Sequence, residues 1–118
     1  MTVRYQRYDE LKKFLQVKQS AIAGRGLFTA RRLAKGETIF RGGRREGCYL
    51  IRHLNHSCRP NAKFVEKNPR NEYRDLFVAL RTIRPGEELT FDFRRTRWAD
   101  RYWPIVQKKG CRCPSCAA

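Results

Sequence analysis

The sequence is short of acidic side chains. Aspartate and glutamate together number 11 against 27 lysines and arginines, so the formal net charge is +16. Such an excess attracts polyanions, including nucleic acid and acidic protein surfaces. The excess is +8 in residues 1–47 and +8 in residues 48–118, which excludes a detachable basic tail. A solvated basic surface with only non-specific polyanion affinity remains the simple alternative to a specific partner.

Long apolar runs are also lacking. No stretch approaches the ~20 apolar residues of a membrane-spanning helix, and MTVRYQRYDELKKF at the start has no apolar segment typical of a secretion signal. We therefore expect a cytoplasmic protein with no membrane partner. Its 118 residues allow one domain at most, and 41% hydrophobic residues with 12% aromatics suffice for a small core.

A dinucleotide fingerprint is absent as well. Gly24-x-Gly26 is not followed by the third glycine and helix that this fingerprint requires. The pair marks instead a place where backbone can approach a ligand closely. No internal repeat and no low-complexity segment is evident in the sequence.

What the sequence does contain is a series of short strand patterns, which predicts a mainly β fold. Residues 5–16 have helical spacing, in competition with a strand at 14–20. Segments 62–66 and 73–83 predict a hairpin around a loop at 67–72, with Leu76, Val78 and Leu80 alternating along its second strand. Further strands are predicted at 26–30, 37–40 and 89–93, turns at 34–37 and 84–88, and a loop at 42–47.

The stretch GEELTFDF, residues 86–93, ends in two aromatic rings. If it is a strand, alternation places Leu89, Phe91 and Phe93 on one face and Thr90 and Asp92 on the other. Phe91 and Phe93 then stand side by side near a strand end, and neither carries a hydroxyl.

The cysteines cluster near the end of the sequence, in CRCPSC at residues 111–116. Without a secretion signal, a metal site is favoured over a disulfide framework, and the spacing suits three thiolate ligands of a tetrahedral zinc. A fourth ligand is missing. Cys58 is the best distant ligand, with Cys48 and His56 as competitors, and free thiols in a frayed tail are the alternative. The three clustered thiols are Cys111, Cys113 and Cys116.

A dense polar cluster, RHLNHSCRPNA at residues 52–62, follows an apolar run. Asn55 and His56 must be hydrogen-bonded if they are buried there, and together with the local backbone they can hold a polar ligand. An asparagine–histidine pair of this kind is more often structural than catalytic.

Taken together and in chain order, these motifs are far more specific than any one of them. Gly-x-Gly-Leu-Phe, Lys-Gly-Glu, Asn-His-Ser-Cys-x-Pro-Asn, Gly-Glu-Glu-Leu-Thr-Phe-Asp and Cys-x-Cys-x-x-Cys resemble the SET-domain family of S-adenosylmethionine-dependent protein-lysine methyltransferases. The resemblance covers about residues 17–116. It implies small curved sheets around a knot-like C-terminal segment, followed by a short zinc-binding tail. It also implies an N-terminal extension at 1–16, a SET domain with a shortened insert at 17–98 and a post-SET-like tail at 99–118.

The resemblance further implies residue roles and two cofactors, S-adenosylmethionine and zinc. Phe91 and Phe93 would wall a channel for the substrate lysine. The implied S-adenosylmethionine-binding residues are Arg25, Gly26, Leu27, Arg52, Asn55 and His56, and the implied zinc ligands are Cys58, Cys111, Cys113 and Cys116.

The sequence departs from the family pattern in two places. Phe93 stands where the family usually has a tyrosine whose hydroxyl lies beside the transferring methyl, so catalysis is expected to be slow or absent unless Tyr49, Tyr73 or Tyr102 supplies a hydroxyl. Only 12 residues separate Ile39 from Arg52, where the family usually carries an insert that helps form the substrate groove. Substrate recognition would then be lost, or come from a partner or a second copy of the chain in a homodimer.

The positive charge also constrains the substrate. It repels a basic histone tail unless the groove is locally acidic, and otherwise favours a lysine flanked by acidic residues or a nucleic-acid-associated protein. The two remaining alternatives are a non-catalytic SET-like module and a small zinc-ribbon-like nucleic-acid binder. The acidic residues available for a local patch are Glu66, Glu72, Asp75, Glu87 and Glu88.

Overall fold

The structure is a computed structural model that describes residues 11–41, 53–66, 75–96 and 103–104. Within these ranges the fold is mainly β, as predicted, and a single turn of 3-10 helix follows the last strand at Phe93–Arg95. The strands are β1 Leu15–Gln19, β2 Arg25–Thr29, β3 Thr38–Arg41, β4 Asn55–His56, β5 Ala62–Val65, β6 Leu76–Ala79 and β7 Glu88–Phe91.

The strands form two small sheets. One has the order β1-β2-β7-β4 and the other β3-β6-β5. In the first sheet β7 lies between β2, which it pairs with in antiparallel fashion, and the short β4, which runs parallel to it. In the second sheet β5 and β6 are antiparallel with Phe64 opposite Phe77, so the predicted hairpin pairing is confirmed. The knot-like segment and the zinc tail stay predictions.

Four phenylalanine rings join the two sheets. Phe77 stacks on Phe40 with ring centroids 4.9 Å apart and lies 4.7 Å from Phe64. Phe91 of β7 meets Phe64 edge to face at 5.1 Å. All four rings are buried, and aromatic pairs at these separations are favourable beyond the area they remove from water. This cluster fixes β7, and with it the candidate site, against the second sheet.

Along β6 the buried face is the opposite of the one that the alternation of Leu76, Val78 and Leu80 indicated. Phe77 and Ala79 are the buried residues, whereas Leu76 and Val78 are half-buried and Leu80 is 36% exposed. The Phe77 ring fills the space between the sheets, and period-two geometry therefore turns its strand neighbours outward. A run of alternating apolar residues on both faces does not by itself say which face is inside.

The competing prediction at 14–20 is confirmed for β1, which pairs with β2 along its whole length. A turn precedes it, with the Phe14 N–H donating to the Leu11 carbonyl at 3.2 Å. Leu11 and Leu15, the apolar residues of the helical pattern, are both buried. The predicted loops at 42–47 and 67–72 lie outside the described residues, as do residues 5–10.

The structure also corrects the expectation of no internal repeat. Residues 31–40 and 81–90 have the same succession of bridge, turn and strand and the same order of buried and exposed positions. Gly36 has φ +84° and Gly86 φ +89°, a region that glycine adopts readily and that closes both predicted turns. Leu33 and Ile83, at equivalent positions, pair with each other in an antiparallel bridge.

The two repeat units exchange partners. The Gly86 N–H donates to the Thr29 carbonyl at 2.7 Å, and the Gly36 N–H donates to the Ala79 carbonyl at 2.8 Å. Each turn therefore closes against the strand that leads into the other unit. The arrangement is approximately two-fold, with β2 beside β7 and β6 beside β3. Nowhere in the described ranges is there a helix long and apolar enough to cross a membrane.

Candidate functional site

The polar centre of the candidate site is the side-chain amide of Asn55 on β4. Its Nδ2 lies 2.7 Å from Glu88 Oε2, 3.1 Å from Ser20 Oγ and from the Ala23 carbonyl, and 3.3 Å from the Arg25 carbonyl. An amide has two N–H donors, so these acceptors share them. The amide therefore links the end of β7 that begins at Glu88 to the loop between β1 and β2.

Gly26 is required here for a specific reason. A Cβ at this position would lie 2.7 Å from Glu88 Cδ and closer still to one of its carboxylate oxygens. The Ser20 hydroxyl donates to the same carboxylate at 2.7 Å, and Ser20 Oγ accepts from the Ile22 N–H at 2.9 Å. Glycine thus lets a half-buried carboxylate pass close to the β2 backbone and hold the preceding loop.

His56 is buried, 6% exposed, and contacts the segment that follows β7. Its Nδ1 accepts from the Phe93 backbone N–H at 3.1 Å, so in the neutral ring the proton resides on Nε2. Nε2 lies 3.4 Å from the Cys58 sulfur. The imidazole also meets the rings of Phe93 and Trp103 edge to face, at 5.4 and 5.2 Å. His56 therefore positions Phe93 through one nitrogen and faces Cys58 with the other.

Phe91 and Phe93 stand side by side as predicted, with ring centroids 4.6 Å apart and planes tilted by 40°. They do not share a strand face, because β7 ends at Phe91 and Phe93 lies in the 3-10 turn. Thr90 and Asp92 are buried as well, since β7 is covered on both sides. Phe91 is 2% exposed and packs within the phenylalanine cluster, so it belongs to the hydrophobic core as well as to the wall of the expected lysine channel.

A groove of about 320 Å³ opens beside Phe91. Cys58 lies on its wall, which joins the candidate metal ligand to the aromatic pair. Both apolar and basic side chains contribute to the lining. The described residues along it are Cys58, Pro60, Ala62, Lys63, Phe64, Leu80, Phe91, Asp92, Arg95 and Thr96.

Asp92 caps the 3-10 turn and anchors the residues after the aromatic pair. Its Oδ1 accepts from the Arg94 backbone N–H at 3.0 Å, and Oδ2 accepts from the Arg94 guanidinium at 2.7 Å. Burial alone would raise the pKa of the Asp92 carboxyl, but the hydrogen bonds and charge of Arg94 outweigh it and hold the pKa below its ordinary value. The Arg94 guanidinium also lies over the Trp103 ring, 5.0 Å from its centroid.

The structure thus brings together some of the residues that were expected to bind S-adenosylmethionine. Arg25 is exposed at the start of β2, whereas Gly26 and Leu27 are buried, with Leu27 in the core. Gly24 and Arg25 are exposed and lie beside Asn55, whose amide donates to the Ala23 and Arg25 carbonyls. Several predicted residues lie outside the described ranges, namely Tyr49, Arg52, Tyr73, Tyr102, Cys48, Cys111, Cys113 and Cys116.

The described acidic residues do not form the exposed patch considered from the sequence. Asp75 is 1% exposed. Glu87 pairs with Arg81 at 2.9 Å, and Glu88 is occupied by Ser20 and Asn55. Asp75 is buried and the carboxylates of Glu87 and Glu88 are engaged by neighbouring donors, so these three give no acidic groove for a basic peptide; Glu66 is the exposed member among the described residues. Glu72 lies outside the described residues.

Sequence reasoning missed two residues of this site. Ser20 had one available signal, its position at the end of a predicted strand and just before a glycine turn. Trp103 had none, since only the fold brings it against His56 and Arg94. Within the described ranges no group of three histidine, cysteine or acidic side chains is arranged to hold a metal ion.

Comparison with known proteins agrees with this architecture. Residues 41–94 match the SET domain model. Histone-lysine N-methyltransferase Set2 of Drosophila melanogaster is 37% identical over 67 residues, which cover 57% of this chain and 3% of the fly protein. Human histone-lysine N-methyltransferase 2B is 30% identical over 118 residues, covering 70% of this chain and 4% of the human protein.

A yeast relative is similar to the same extent. The histone-lysine N-methyltransferase, H3 lysine-36 specific, of Saccharomyces cerevisiae is 40% identical over 67 residues, covering 57% of this chain and 9% of the yeast protein. The chain therefore spans only 3% to 9% of the length of these curated relatives. It belongs to the SET-domain family of protein-lysine methyltransferases.

Proposed function

We propose that the chain is a minimal SET module that transfers a methyl group from S-adenosylmethionine to a protein lysine. The observation that carries this proposal is the parallel pairing of β4 with β7. It sets Asn55 opposite Thr90 and His56 opposite Phe91, so the polar cluster and the aromatic pair meet at one place. The relatives named above are histone-lysine methyltransferases, which supports a lysine substrate.

The exposed segment at Gly24 and Arg25 would hold the cofactor, with Asn55 fixing it through the Ala23 and Arg25 carbonyls. S-adenosylmethionine supplies the activated methyl group when bound. The side chain of Leu27 is fully buried in the core, and its backbone pairs with Val17 of β1 and Leu89 of β7. Arg52 is proposed as a further cofactor contact by resemblance.

The aromatic pair would prepare the amine. A lysine in water has a pKa near 10.4 and is almost entirely protonated at neutral pH. Phe91 and Phe93 would desolvate the ammonium, which lowers its pKa and favours the nucleophilic neutral form. Alignment of the amine then contributes most of the acceleration, because the leaving group is already activated.

Phe93 is the reason for a second candidate function, a SET-like module that binds cofactor without efficient transfer. A phenylalanine ring has no oxygen to orient the reactants, and loss of one well-placed polar group costs roughly 10²–10³-fold in rate. Tyr49, Tyr73 and Tyr102 are the proposed alternative sources of a hydroxyl.

Calorimetry and a methyl-transfer assay distinguish these functions. We expect the wild type to bind S-adenosylmethionine and the Phe93→Tyr variant to transfer methyl groups roughly 10²-fold faster, because the hydroxyl is restored. Phe14→Tyr, which adds the same oxygen to a half-buried ring outside the phenylalanine cluster and the aromatic pair, is the matched control. Cofactor binding without transfer by either protein supports the non-catalytic module, and no cofactor binding overturns both functions.

We further propose that Cys58 binds zinc together with Cys111, Cys113 and Cys116. Cys58 is half-buried, and the proton-bearing nitrogen of His56 faces its sulfur, which favours the thiolate that zinc requires. We expect Cys58→Ser to lower the zinc content of the purified protein below one equivalent, measured by elemental analysis. Ser57→Ala is the control, and unchanged zinc in Cys58→Ser would rule out this ligand set.

The substrate is proposed to be a protein with a lysine in acidic surroundings or associated with nucleic acid, since the described surface is basic. Recognition by a second copy of the chain in a homodimer, and a cytoplasmic location, stay part of this proposal.

A further inference from the structure

The two repeat turns meet on the surface. Leu33 and Ile83 exchange backbone hydrogen bonds of 2.8 Å in both directions, and both side chains are fully buried. Neighbours of inward-pointing residues in an antiparallel pair point outward. Arg32 precedes the bridge on one segment and Arg84 follows it on the other, so antiparallel geometry brings these two exposed arginines to the same end of the bridge.

The carboxylates nearby are already engaged. Glu37 accepts from the Arg31 guanidinium at 2.6 Å and from the Ala34 N–H at 3.1 Å. The second turn has the same arrangement, with Arg81 at 2.9 Å from Glu87 and the Arg84 N–H donating to it. Each carboxylate therefore pairs with one arginine of its own turn and also lies within the field of Arg32 or Arg84, so two carboxylates among four arginines leave the two turns with a net positive charge.

The result is a concentrated positive surface. Like charges on neighbouring segments repel each other, and an anion bound between them reduces that repulsion. Lys35, exposed at the tip of the first turn, adds a further charge. Five cationic side chains thus surround two carboxylates. We call this group the two-turn basic surface, and its members are Arg31, Arg32, Lys35, Arg81 and Arg84.

The chemistry of this surface points to a phosphate backbone. Protein interfaces depend on apolar and aromatic anchors at their centre. Here the large apolar residues of both turns, Leu33 and Ile83, are fully buried, and the long exposed side chains are cationic, with only the small Ala34, Thr82 and Pro85 exposed beside them. Phosphate backbones are bound by such cations with release of counterions, and arginine pairs match phosphate oxygens in geometry.

We propose that the two-turn basic surface binds the phosphate backbone of nucleic acid, with Arg32 and Arg84 as its central pair. It lies where β7 begins, at Glu88, whereas the aromatic pair lies where β7 ends. The inference does not depend on cofactor binding or on methyl transfer.

The test is fluorescence anisotropy of the full chain with labelled duplex DNA, duplex RNA and polyglutamate over a range of salt concentrations. Two variants are compared with the wild type, Arg32→Ala/Arg84→Ala and the charge-preserving Arg32→Lys/Arg84→Lys. Lys18→Ala/Arg41→Ala is the matched control. It removes the same charge from exposed positions on β1 and β3, away from the turns.

We expect the alanine pair to weaken binding of a duplex on the order of 10-fold or more at 0.1 M salt and to reduce the salt slope by about 2. The lysine pair should keep the wild-type slope. Stronger binding of DNA or of RNA identifies the nucleic acid, and either supports the inference.

Three results would overturn it. The alanine pair could bind the duplexes as the wild type does. The control pair could also lose as much affinity as the alanine pair, which would mean that binding depends on the total positive charge and not on Arg32 and Arg84. Polyglutamate could also bind more tightly than both duplexes, which would mark the surface as a site for acidic protein. Thermal melting of all variants checks that each remains folded.

Discussion

The close passage of Glu88 over Gly26 determines how the candidate cofactor loop is held. Substitution Gly26→Ala would push a methyl group against the carboxylate, and overpacking of this kind costs about 1–3 kcal/mol. We expect a lower melting temperature and weaker binding of S-adenosylmethionine, because the loop that Asn55 and Ser20 hold must shift with Glu88.

A double-mutant cycle isolates this contact. Glu88→Ala removes the obstructing group, so Gly26→Ala should cost less in that background than in the wild type, with a coupling above about 0.5 kcal/mol by urea denaturation. Additive effects of the two substitutions would show that the methyl group meets something else.

At the same scale, the sequence led to the right position but not to the right contact. Gly24-x-Gly26 predicted a close approach to the backbone, and the approach exists. The group that approaches Gly26 is the chain's own carboxylate, 62 positions later in the sequence. Local spacing reports that a side chain cannot be accommodated, but it carries no information on which distant residue takes the space.

Each repeat turn is an element with its own stabilising glutamate. Replacing Glu37 or Glu87 with alanine removes an arginine partner and a bond to a backbone N–H, which together should cost about 1–2 kcal/mol. Because the two turns have the same contacts, we expect the two variants to be destabilised about equally in urea denaturation.

Variants of the arginine partners are the control for this prediction. Arg31→Ala and Arg81→Ala should each cost less, since exposed ion pairs contribute about 0–1 kcal/mol and the backbone bond remains. If the arginine and glutamate variants are equally destabilised, the carboxylate does not stabilise the turn through the backbone.

Strands and turns were predictable from local pattern, since alternation and glycine turns mark β2, β3 and β7. The repeat was not, because equivalent positions of 31–40 and 81–90 share only an arginine, a glycine and a glutamate, with leucine and isoleucine interchanged. The two repeat units share backbone hydrogen bonds, which place little restriction on the identity of most side chains outside the turn. The parallel pairing of β4 with β7 was likewise unpredicted, as two residues of strand carry no local signal.

For the whole molecule, three buried or half-buried carboxylates make stability depend on pH. Hydrogen bonds from Arg31 and Arg81 lower the pKa of Glu37 and Glu87 against the effect of burial. Burial alone would raise the pKa of Asp92, but the hydrogen bonds from Arg94 lower it by more, so the net shift is downward. The pKa values of these three carboxyls are therefore lower in the folded state than in the unfolded state, where they are about 4. Their ionised forms stabilise the fold above that pH, and this stabilisation is lost as the pH falls through the folded-state pKa values.

We therefore expect the melting temperature to be nearly constant from pH 7 to about pH 5 and to fall steeply below about pH 4. Asp92→Asn should melt lower at pH 7 and show a shallower fall, because one of the titrating groups is gone. A melting temperature that holds down to pH 2.5, or an Asp92→Asn profile parallel to that of the wild type, would contradict this account.

The position of β7 has a consequence for the order in which the molecule can assemble. Leu27 pairs with Leu89 and Asn55 with Thr90, so an inner strand of the first sheet is the last of the described strands to leave the ribosome. Until residues 88–91 emerge, β2 and β4 have open edges and Phe64 and Phe77 lack the ring that covers them. A nascent chain that stalls before Glu88 would expose these edges, which makes it a natural target for chaperones.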